Sequence, residues 1–206
     1  MGVSTKNILL YGASGHAKVI IDCLASEGLN VEGLFDDNHD LKELASIPVI
    51  GSYDKHNSPD LPVIVSIGNN LIRKCIVDGI EHDFTVAIHT SAIISASAKI
   101  GRGTVVMQGA VIQASTVVGR HSIVNTGASI DHDCKVGDYV HISPHATLCG
   151  DVTVGEGVHV GAGATVIQGI RIGKWAVIGA GTVVISDVAD YCTVVGALGK
   201  IIKYNK

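Results

Sequence analysis

The chain has 206 residues, of which 47% are hydrophobic but only 4% aromatic, and its formal net charge is −4 at pH 7. This charge, without any run of basic residues, argues against nucleic-acid binding. No apolar run approaches the ~20 residues that cross a bilayer, and the apolar segment that follows residues 1–6 is too short for a signal peptide. We therefore expect a cytoplasmic protein that makes no contact with a membrane.

The first predicted element is a buried strand over Asn7–Tyr11. It leads into a glycine-containing loop, residues 12–16 (GASGH), and then into a helix over Ala17–Leu24. A strand, a glycine loop and a helix in this order direct backbone N–H groups at an anion. The loop carries Gly-x-x-Gly and lacks the full dinucleotide fingerprint. It therefore predicts either a phosphate site or only a tight strand-to-helix turn.

A second strand is predicted over Val31–Phe35, and it stops at two carboxylates, Asp36 and Asp37. Acidic residues at the end of a second strand commonly contact ribose hydroxyls in α/β domains of this kind. A solvated turn would explain the same residues equally well. A further short apolar segment covers Ile47–Ile50.

Another apolar strand is predicted over Leu61–Ile67, ending at Gly68 and Asn69, and a helix follows over Asn70–Glu81. Three strand ends thus carry polar or glycine-containing loops. Because the carboxyl ends of parallel strands meet at one edge of a sheet, we expect these loops to line a common ligand-binding edge.

The second half of the chain is organised by a six-residue period. Every sixth residue is aliphatic, without a slip in register, at seventeen positions: Ile88, Ile94, Ile100, Val106, Ile112, Val118, Val124, Ile130, Val136, Ile142, Leu148, Val154, Val160, Val166, Ile172, Ile178 and Val184. Residues two apart in a strand share a face, and the residue two before each aliphatic position is mostly small. A period of six is neither helical nor that of a simple hairpin, and it predicts a β-helix whose coils bury their apolar row by stacking.

Five cysteines without a CxxC pair predict reduced thiols, in keeping with a cytosolic location. Two of them, Cys134 and Cys149, could be considered as nucleophiles. Cys134 occupies the small inward position of its repeat, and we interpret both residues as part of the core.

The repeats resemble those of the hexapeptide-repeat acyltransferases, which form a left-handed β-helix with three hexads per coil. That resemblance implies columns that repeat every 18 residues, about six coils, and a prism roughly 25–30 Å long at a strand spacing of ~4.8 Å. The segments YGASGHAKVI, FDDN, SIGNNLIRK and NTGASIDHDC resemble, more specifically, the sugar acetyltransferases of the bacillosamine and sialic acid pathways. The IGNN-x-IRK stretch is closer to enzymes that N-acetylate a UDP-linked 4-amino-4,6-dideoxy sugar.

The resemblance implies an α/β Rossmann-like domain over residues 1–84 that binds the UDP-sugar. It also implies an all-β, left-handed parallel β-helix over residues 85–206, with a C-terminal end segment, that binds acetyl-CoA between neighbouring protomers of a homotrimer. By this resemblance the diphosphate contacts Ser14, Gly15 and His16. The nucleoside contacts Asp36 and Asp37, and Gly68 and Asn69 close over the nucleotide. The implied acetyl-CoA contacts are His141, Gly161, Ala162, Gly179 and Ala180.

His132 is the candidate general base. It lies at a turn position two residues after Ile130 and is followed by Asp133, which can orient the imidazole and raise its basicity. Spacing alone leaves a surface histidine as the alternative. The resemblance assigns His132 the role of the base and Asp133 that of its acidic partner, and it places His141 near the acetyl carbonyl. His141 and His159 are 18 residues apart and should stack on one outward face.

Other functions remain open from the sequence alone. A hydroxyl acceptor would make the protein a sialic acid or CMP-sialic acid O-acetyltransferase, because one histidine base serves both chemistries. A γ-carbonic-anhydrase-like zinc enzyme and a non-catalytic sugar-nucleotide-binding protein are further alternatives, although the acetyl transfer itself requires no metal. The C-terminal loop over residues 195–200 (VGALGK) lacks the proline of related loops near the CoA adenine, which puts its cofactor role in doubt.

Overall fold

A computed structural model describes residues 7–197 and 199–204. Residues 1–6, considered above as a leader segment, and Leu198 of the C-terminal loop lie outside the described residues. The elements in chain order are β1 (Asn7–Tyr11), α1 (Gly15–Ser26), β2 (Asn30–Phe35), β3 (Glu43–Leu44), β4 (Ile47–Gly51), β5 (Val63–Val65), α2 (Asn70–Val77), β6 (Ala87–Ile88), β7 (Ile93–Ile94), β8 (Lys99–Ile100), β9 (Val105–Val106), β10 (Val111–Ile112), β11 (Val117–Val118), β12 (Ile123–Val124), β13 (Ser129–Ile130), β14 (Lys135–Val136), β15 (His141–Ile142), β16 (Thr147–Leu148), β17 (Thr153–Val154), β18 (His159–Val160), β19 (Thr165–Val166), β20 (Arg171–Ile172), β21 (Val177–Ile178), β22 (Val183–Val184), β23 (Cys192–Val195) and β24 (Lys200–Tyr204).

The N-terminal part is an α/β unit built on a five-stranded sheet in the order β3-β4-β2-β1-β5. Strand β1 pairs in parallel with β2 and with β5, and β2 pairs in parallel with β4. The carboxyl ends of these strands therefore lie at one edge, as the sequence predicts. Neither of the two described helices has the length and apolar character to cross a membrane.

Three elements of this unit differ by two or more residues from their predicted bounds. Helix α1 extends beyond the predicted segment at both ends, while the strand predicted from residue 61 to 67 is reduced to β5. The strand stops because Ser66 turns its hydroxyl onto the carbonyls of Tyr11 and Gly12, at 2.8 and 2.5 Å. Helix α2 ends at Val77, four residues early, where the backbone N–H of Gly79 bonds back to the carbonyl of Ile76 at 3.0 Å.

The C-terminal part is a parallel β-helix, as the hexad pattern predicts, and it is left-handed, as the family resemblance implies. Each of the seventeen strands β6 to β22 is two residues long, and its second residue is the aliphatic position of the hexad. Strands pair with the strand 18 residues further on, for example Ser129 with Thr147. The coils thereby form three sheets. We call them the docking face (β6, β9, β12, β15, β18, β21), the second face (β7, β10, β13, β16, β19, β22) and the third face (β8, β11, β14, β17, β20).

The inward aliphatic side chains form one continuous core along the prism, and from Val106 to Val184 each is at most 4% exposed. Cys134 belongs to this core, as predicted, and its thiol lies 3.2 Å from the carbonyl oxygen of Cys149. All five cysteines are free thiols. Because each coil is covered only by its neighbours, the fold is stabilised coil by coil.

The α/β unit packs on the first coils of the docking face. The outward residues there are aliphatic, and Ala87, Val105 and Ile123 are at most 1% exposed because they join the same cluster as Ile20 and Leu24 of α1. The outward column changes from aliphatic to polar at His141. The division between residues 84 and 85 stays a prediction; the first strand of the solenoid begins at residue 87.

Candidate active site

Arg73, on α2, joins the two parts of the molecule. Its side chain is 1% exposed, and its guanidinium donates to the carbonyls of His121 at 2.7 Å and Tyr139 at 3.0 Å on the β-helix. On its own side it donates to Ile67 O at 2.8 Å and Asn70 Oδ1 at 2.8 Å. Burial lowers the pKa of Arg73 to about 10, so the group is still a cation at neutral pH. Arg73 therefore fixes the loop after β5 against the coils.

A cleft of about 540 Å³ opens where this loop meets the docking face. Its lining residues are Gly68, Asn69, Asn70, Leu71, His141, Gly157, His159, Trp175 and Val177. His141 and His159 are paired in adjacent strands and their rings lie edge to face, with centroids 4.9 Å apart. The predicted stacking of these two histidines is confirmed. They are mostly covered, however, because the α/β unit faces them.

His141 uses both of its ring nitrogens on protein partners. Its Nδ1 lies 3.3 Å from the carbonyl oxygen of Gly68, and its Nε2 lies 3.0 Å from Asn125 Nδ2. The Asn125 carbonyl oxygen accepts the backbone N–H of Thr126 at 2.8 Å, which fixes the orientation of the amide. Asn125 must then donate to Nε2, so the imidazole proton sits on Nδ1. Burial, reinforced by His159 and Arg73, lowers the pKa of His141 to about 3, and the ring is neutral.

His16 brings the start of α1 beside the cleft residue His141. Its ring centroid lies 6.3 Å from that of His141, and its Nε2 is buried with no hydrogen-bond partner among the described residues. Burial and then the charge of Arg73 lower the pKa of His16 to about 4. Ser14 and Gly15 are exposed, and the Ser14 side chain makes no capping hydrogen bond. Unpaired polar groups at a helix N-terminus are suited to an anion.

The two carboxylates after β2 differ in role. Asp36 accepts the backbone N–H of Ala13 at 2.7 Å and that of Asn38 at 2.8 Å, so it shapes the glycine loop. Asp37 is exposed and accepts the Tyr11 hydroxyl at 3.0 Å. Burial and Asp37 together raise the pKa of Tyr11 to about 12. Of the pair, Asp37 is the one that faces solvent at the strand end.

Asn69 has a structural function that the sequence did not indicate. Its side chain caps α2 by accepting the backbone N–H of Ile72 at 3.0 Å. Its neighbour Gly68 carries the carbonyl that contacts both Arg73, at 3.3 Å, and His141, at 3.3 Å. Both residues line the cleft, but they do so as parts of the loop that Arg73 holds in place.

His132 and Asp133 form an exposed pair on the turn between β13 and β14. The Nδ1 atom of His132 lies 2.8 Å from Asp133 Oδ2, and this hydrogen bond, with Asp131 second, raises the pKa of His132. Asp133 takes the left-handed conformation, with φ of 60°. The His132 side chain is 58% exposed, and among the described residues its Nε2 has no hydrogen-bond partner, which leaves this nitrogen able to act as a general base.

Gly150 lies one coil beyond His132, and the sequence pattern did not identify it as a residue of the site. A Cβ at this position would lie 2.7 Å from Cε1 of His132, so any larger residue would displace the imidazole. Within the described part of the chain, the Gly150 backbone N–H has no acceptor. The buried Gly150 thus lies directly against the imidazole of His132.

This turn does not meet the cleft within one chain. It lies at the corner between the second and third faces, which we call the free corner, and in a triangular prism that corner is opposite the docking face. The structure thus brings together His16, Gly68, Asn69 and His141, and leaves His132 and Asp133 apart from them.

The small residues predicted to hold the pantetheine arm lie on the turns between the docking and second faces. Ala162 and Ala180 are exposed there. Gly161 has a packing reason to be glycine, because a Cβ would lie 2.6 Å from the backbone nitrogen of Ala180. Gly179 is similarly restricted by Val195 at 2.8 Å. These turns therefore carry only glycine and alanine at the four predicted positions, without large side chains.

Two family models match the chain: "PglD N-terminal domain" at residues 7–80 and "Bacterial transferase hexapeptide (six repeats)" at residues 115–150 and 151–186. Among solved structures, a histidine-to-alanine mutant of GDP-perosamine N-acetyltransferase from Caulobacter crescentus, in complex with CoA and GDP-perosamine, is 33% identical, with a TM-score of 0.92 over 98% of this chain and 100% of that chain. This coverage and identity decide the family. The chain belongs to the hexapeptide-repeat sugar N-acetyltransferases.

Two other members of the sugar N-acetyltransferases are similar to this chain. The acetyltransferase domain of PglB from Neisseria gonorrhoeae is 37% identical, with a TM-score of 0.90 over 96% of this chain and 100% of that chain. UDP-N-acetylbacillosamine N-acetyltransferase of Bacillus subtilis is 42% identical over 111 residues, which are 50% of this chain and 51% of that protein. The match thus spans about half the length of this curated relative.

Relatives in this family have been observed with their co-substrate. The PglB domain was solved in complex with acetyl-coenzyme A, and the perosamine enzyme with CoA and GDP-perosamine. Across the described ranges, no group of three or more His, Cys, Asp or Glu side chains is arranged to hold a metal ion. The comparisons lend no support to the zinc hydratase or the non-catalytic alternative.

Proposed function

We propose that this protein transfers the acetyl group of acetyl-CoA to the 4-amino group of a UDP-linked 4-amino-4,6-dideoxy sugar. The observation that carries the proposal is the cleft lined by the neutral His141. The N-terminus of α1 brings His16 beside that histidine, with an Nε2 that has no partner among the described residues. This arrangement joins an anion-binding element of the α/β unit to the docking face of the β-helix. The similar enzymes act on amino sugars of nucleotides, which is the chemistry that such a junction suits.

The nucleotide would bind to the α/β unit. Ser14, Gly15 and His16 would contact the diphosphate, because a helix N-terminus and a buried nitrogen without a partner both favour an anion. The nucleoside would lie at the exposed Asp37, beside Asp36. We propose UDP and not GDP as the nucleotide because this chain is similar to the Bacillus enzyme, whose name contains a UDP-sugar.

The sugar lies, in this proposal, against the loop of Gly68 and Asn69, with its amine directed at the cleft. Acetyl-CoA would enter over His141 and follow the turns at Gly161 and Gly179, with Ala162 and Ala180 beside them. Arg73 sets the position of the loop relative to the coils and so fixes the distance between the two substrates.

His132 acts as the general base, supplied by a neighbouring protomer. In one chain it lies at the free corner, opposite the docking face, so the proposed homotrimer is needed to complete the site. Asp133 holds the Nδ1 proton and leaves Nε2 able to accept one.

The transfer is direct. The neutral amine attacks the thioester carbonyl and gives its proton to His132 Nε2, while the oxyanion is stabilised by a backbone N–H, for which Gly150 beside His132 is the candidate. Collapse of the tetrahedral intermediate breaks the C–S bond, and the imidazolium returns the proton to the departing thiolate. The products are the acetamido sugar nucleotide and CoA.

The test is an acceptor comparison in which the product mass is measured. The purified protein is incubated with acetyl-CoA and, separately, a UDP-4-amino-4,6-dideoxy sugar, GDP-perosamine, CMP-sialic acid and free sialic acid. We expect one added acetyl group on the UDP-sugar at the highest kcat/KM. Acetylation of only the sialic acid substrates would replace the proposal with O-acetyl transfer, and a preference for GDP-perosamine would overturn the UDP assignment.

A further inference from the structure

The cleft holds a second histidine that the proposed mechanism does not use. His159 lies one coil beyond His141 in the same outward column. Its Nε2 is 3.2 Å from the hydroxyl oxygen of Ser143, a buried residue. Its Nδ1 has no hydrogen-bond partner in the part of the chain that the structure describes, and the side chain lines the cleft.

The two cleft histidines therefore differ in what they can offer a ligand. His141 has both nitrogens engaged by Gly68 and Asn125, whereas His159 keeps one nitrogen free. Burial, with a smaller contribution from Arg73, lowers the pKa of His159, so its ring is neutral at pH 7. The Ser143 hydroxyl can donate to Nε2 or accept from it, and when it donates, the neutral imidazole of His159 carries its proton on Nδ1. That proton is then available to a carbonyl oxygen in the cleft.

The position of His159 along the coils indicates which carbonyl this is. In the proposed function the thioester lies at the coil of His141, and the pantetheine arm continues past Gly161, which is two residues after His159. Successive coils are ~4.8 Å apart, about the reach of the two-carbon spacer between the thioester sulfur and the first amide of the arm. The free nitrogen of His159 lies one coil beyond the thioester, at the level of that amide.

We infer that His159 is an acyl-donor contact: its Nδ1–H donates to the carbonyl oxygen of the pantetheine amide nearest the thioester, with Ser143 orienting the ring. This inference rests on the proposed function and adds a residue to it. It predicts that the enzyme recognises the donor at an amide and not only at the reacting acyl group.

The experiment measures kcat/KM for three donors: acetyl-CoA, S-acetyl-N-acetylcysteamine, which keeps only the first amide, and S-ethyl thioacetate, which has none. His159→Val is the principal variant, because the next outward residue in the column is Val177 and the column accepts that shape. The loss of one hydrogen bond to a neutral partner should lower kcat/KM about tenfold for both amide-containing donors. For S-ethyl thioacetate the value should stay within about twofold of wild type, since the contact has no partner there.

Three further variants make the result specific. His159→Gln retains a side-chain donor and should recover part of the loss. Ser143→Ala frees Nε2 and should give a smaller loss, confined to the two amide-containing donors. The matched control is His89→Val, because His89 also contacts a serine hydroxyl, Ser91 Oγ at 2.8 Å, but on the first coil. It should leave all three donors unchanged.

An equal loss for all three donors would refute the amide contact, and so would no loss for any of them. These outcomes are distinct from failure of the proposed function. In that case the wild-type protein itself would not acetylate the amino sugar with acetyl-CoA, whatever residue stands at position 159.

Discussion

Because His132 lies apart from the cleft within one chain, we predict that two inactive variants complement each other in a mixed oligomer. One variant is His132→Ala, which removes the base from the free corner; the other is His16→Ala, which alters only the cleft. Loss of a positioned base should lower turnover by roughly 10²–10⁴-fold. Loss of a hydrogen bond to a charged diphosphate costs about 1.5–3 kcal/mol, a factor of about 10–150 in kcat/KM below saturation.

The expected activity of the mixture follows from the geometry. If each site takes its base from one protomer and its cleft from the next, every trimer that contains both variants has both intact halves in about one site of three. The doubly purified mixed oligomer should therefore show about a third of wild-type kcat/KM, above either parent. If each site lies within one chain, no site is intact and the activity should stay near the mean of the two parents.

The assay co-expresses the two chains with different affinity tags, purifies the mixed oligomer over both tags and measures acetyl transfer below the KM of the sugar nucleotide. The control mixes the two purified oligomers without exchange, and it should give only the mean of the parents. Mixed oligomers that behave like this control would refute the composite site. Light scattering that reports an active monomer would refute it independently.

Three further predictions follow from the contacts and pKa directions. His132→Ala should lower kcat without weakening sugar-nucleotide binding. The kcat of the wild type should rise with pH through an apparent pKa above ~6.5, because the base must be neutral. Asp133→Asn should lower that apparent pKa, because it removes the partner that raises it. A pH profile that Asp133→Asn leaves unmoved would contradict this pairing. Replacing inward Ile142 by Asp buries an unpaired carboxylate and should reduce the free energy of unfolding by several kcal/mol in urea titrations, whereas the same change at outward Thr147 should cost much less. Acidification should destabilise the fold, because the pKa values of His16 and His141, about 4 and about 3, lie below the ordinary value of 6.5. The unfolded chain then binds more protons as pH falls below 6.5, so each ring should cost about 2 kcal/mol of unfolding free energy at pH 5 relative to pH 8. A flat stability between these two pH values would count against neutral buried rings.

The sequence by itself determined the β-helix and its register. An inward position is set by strand alternation and repeats every six residues, so the list of aliphatic residues is also the list of inward side chains. It also predicted the strand, glycine loop and helix at residues 7–26, because hydrophobic periodicity and glycine act over a few neighbouring residues. Helix α2 was predicted to end four residues too late, because the turn at Gly79 depends on a backbone hydrogen bond that the hydrophobic pattern does not show.

Only the tertiary structure decided which residues share a site. Arg73 meets carbonyls 48 and 66 residues away, and His141 meets Gly68 across 73 residues; such contacts leave no period in the sequence. The family resemblance assigned both His132 and His141 to the reaction, yet they are nine residues apart and three hexads make one coil. Within one chain, half a coil therefore carries the side chain to another side of the prism. Among the described residues, hydrogen bonding likewise separated His141, which has partners for both ring nitrogens, from His159, which has a partner for one. Strand periodicity fixes which way a side chain points, but its neighbours are set by how the chain closes on itself, which is why the separation of His132 from the cleft emerged only from the fold.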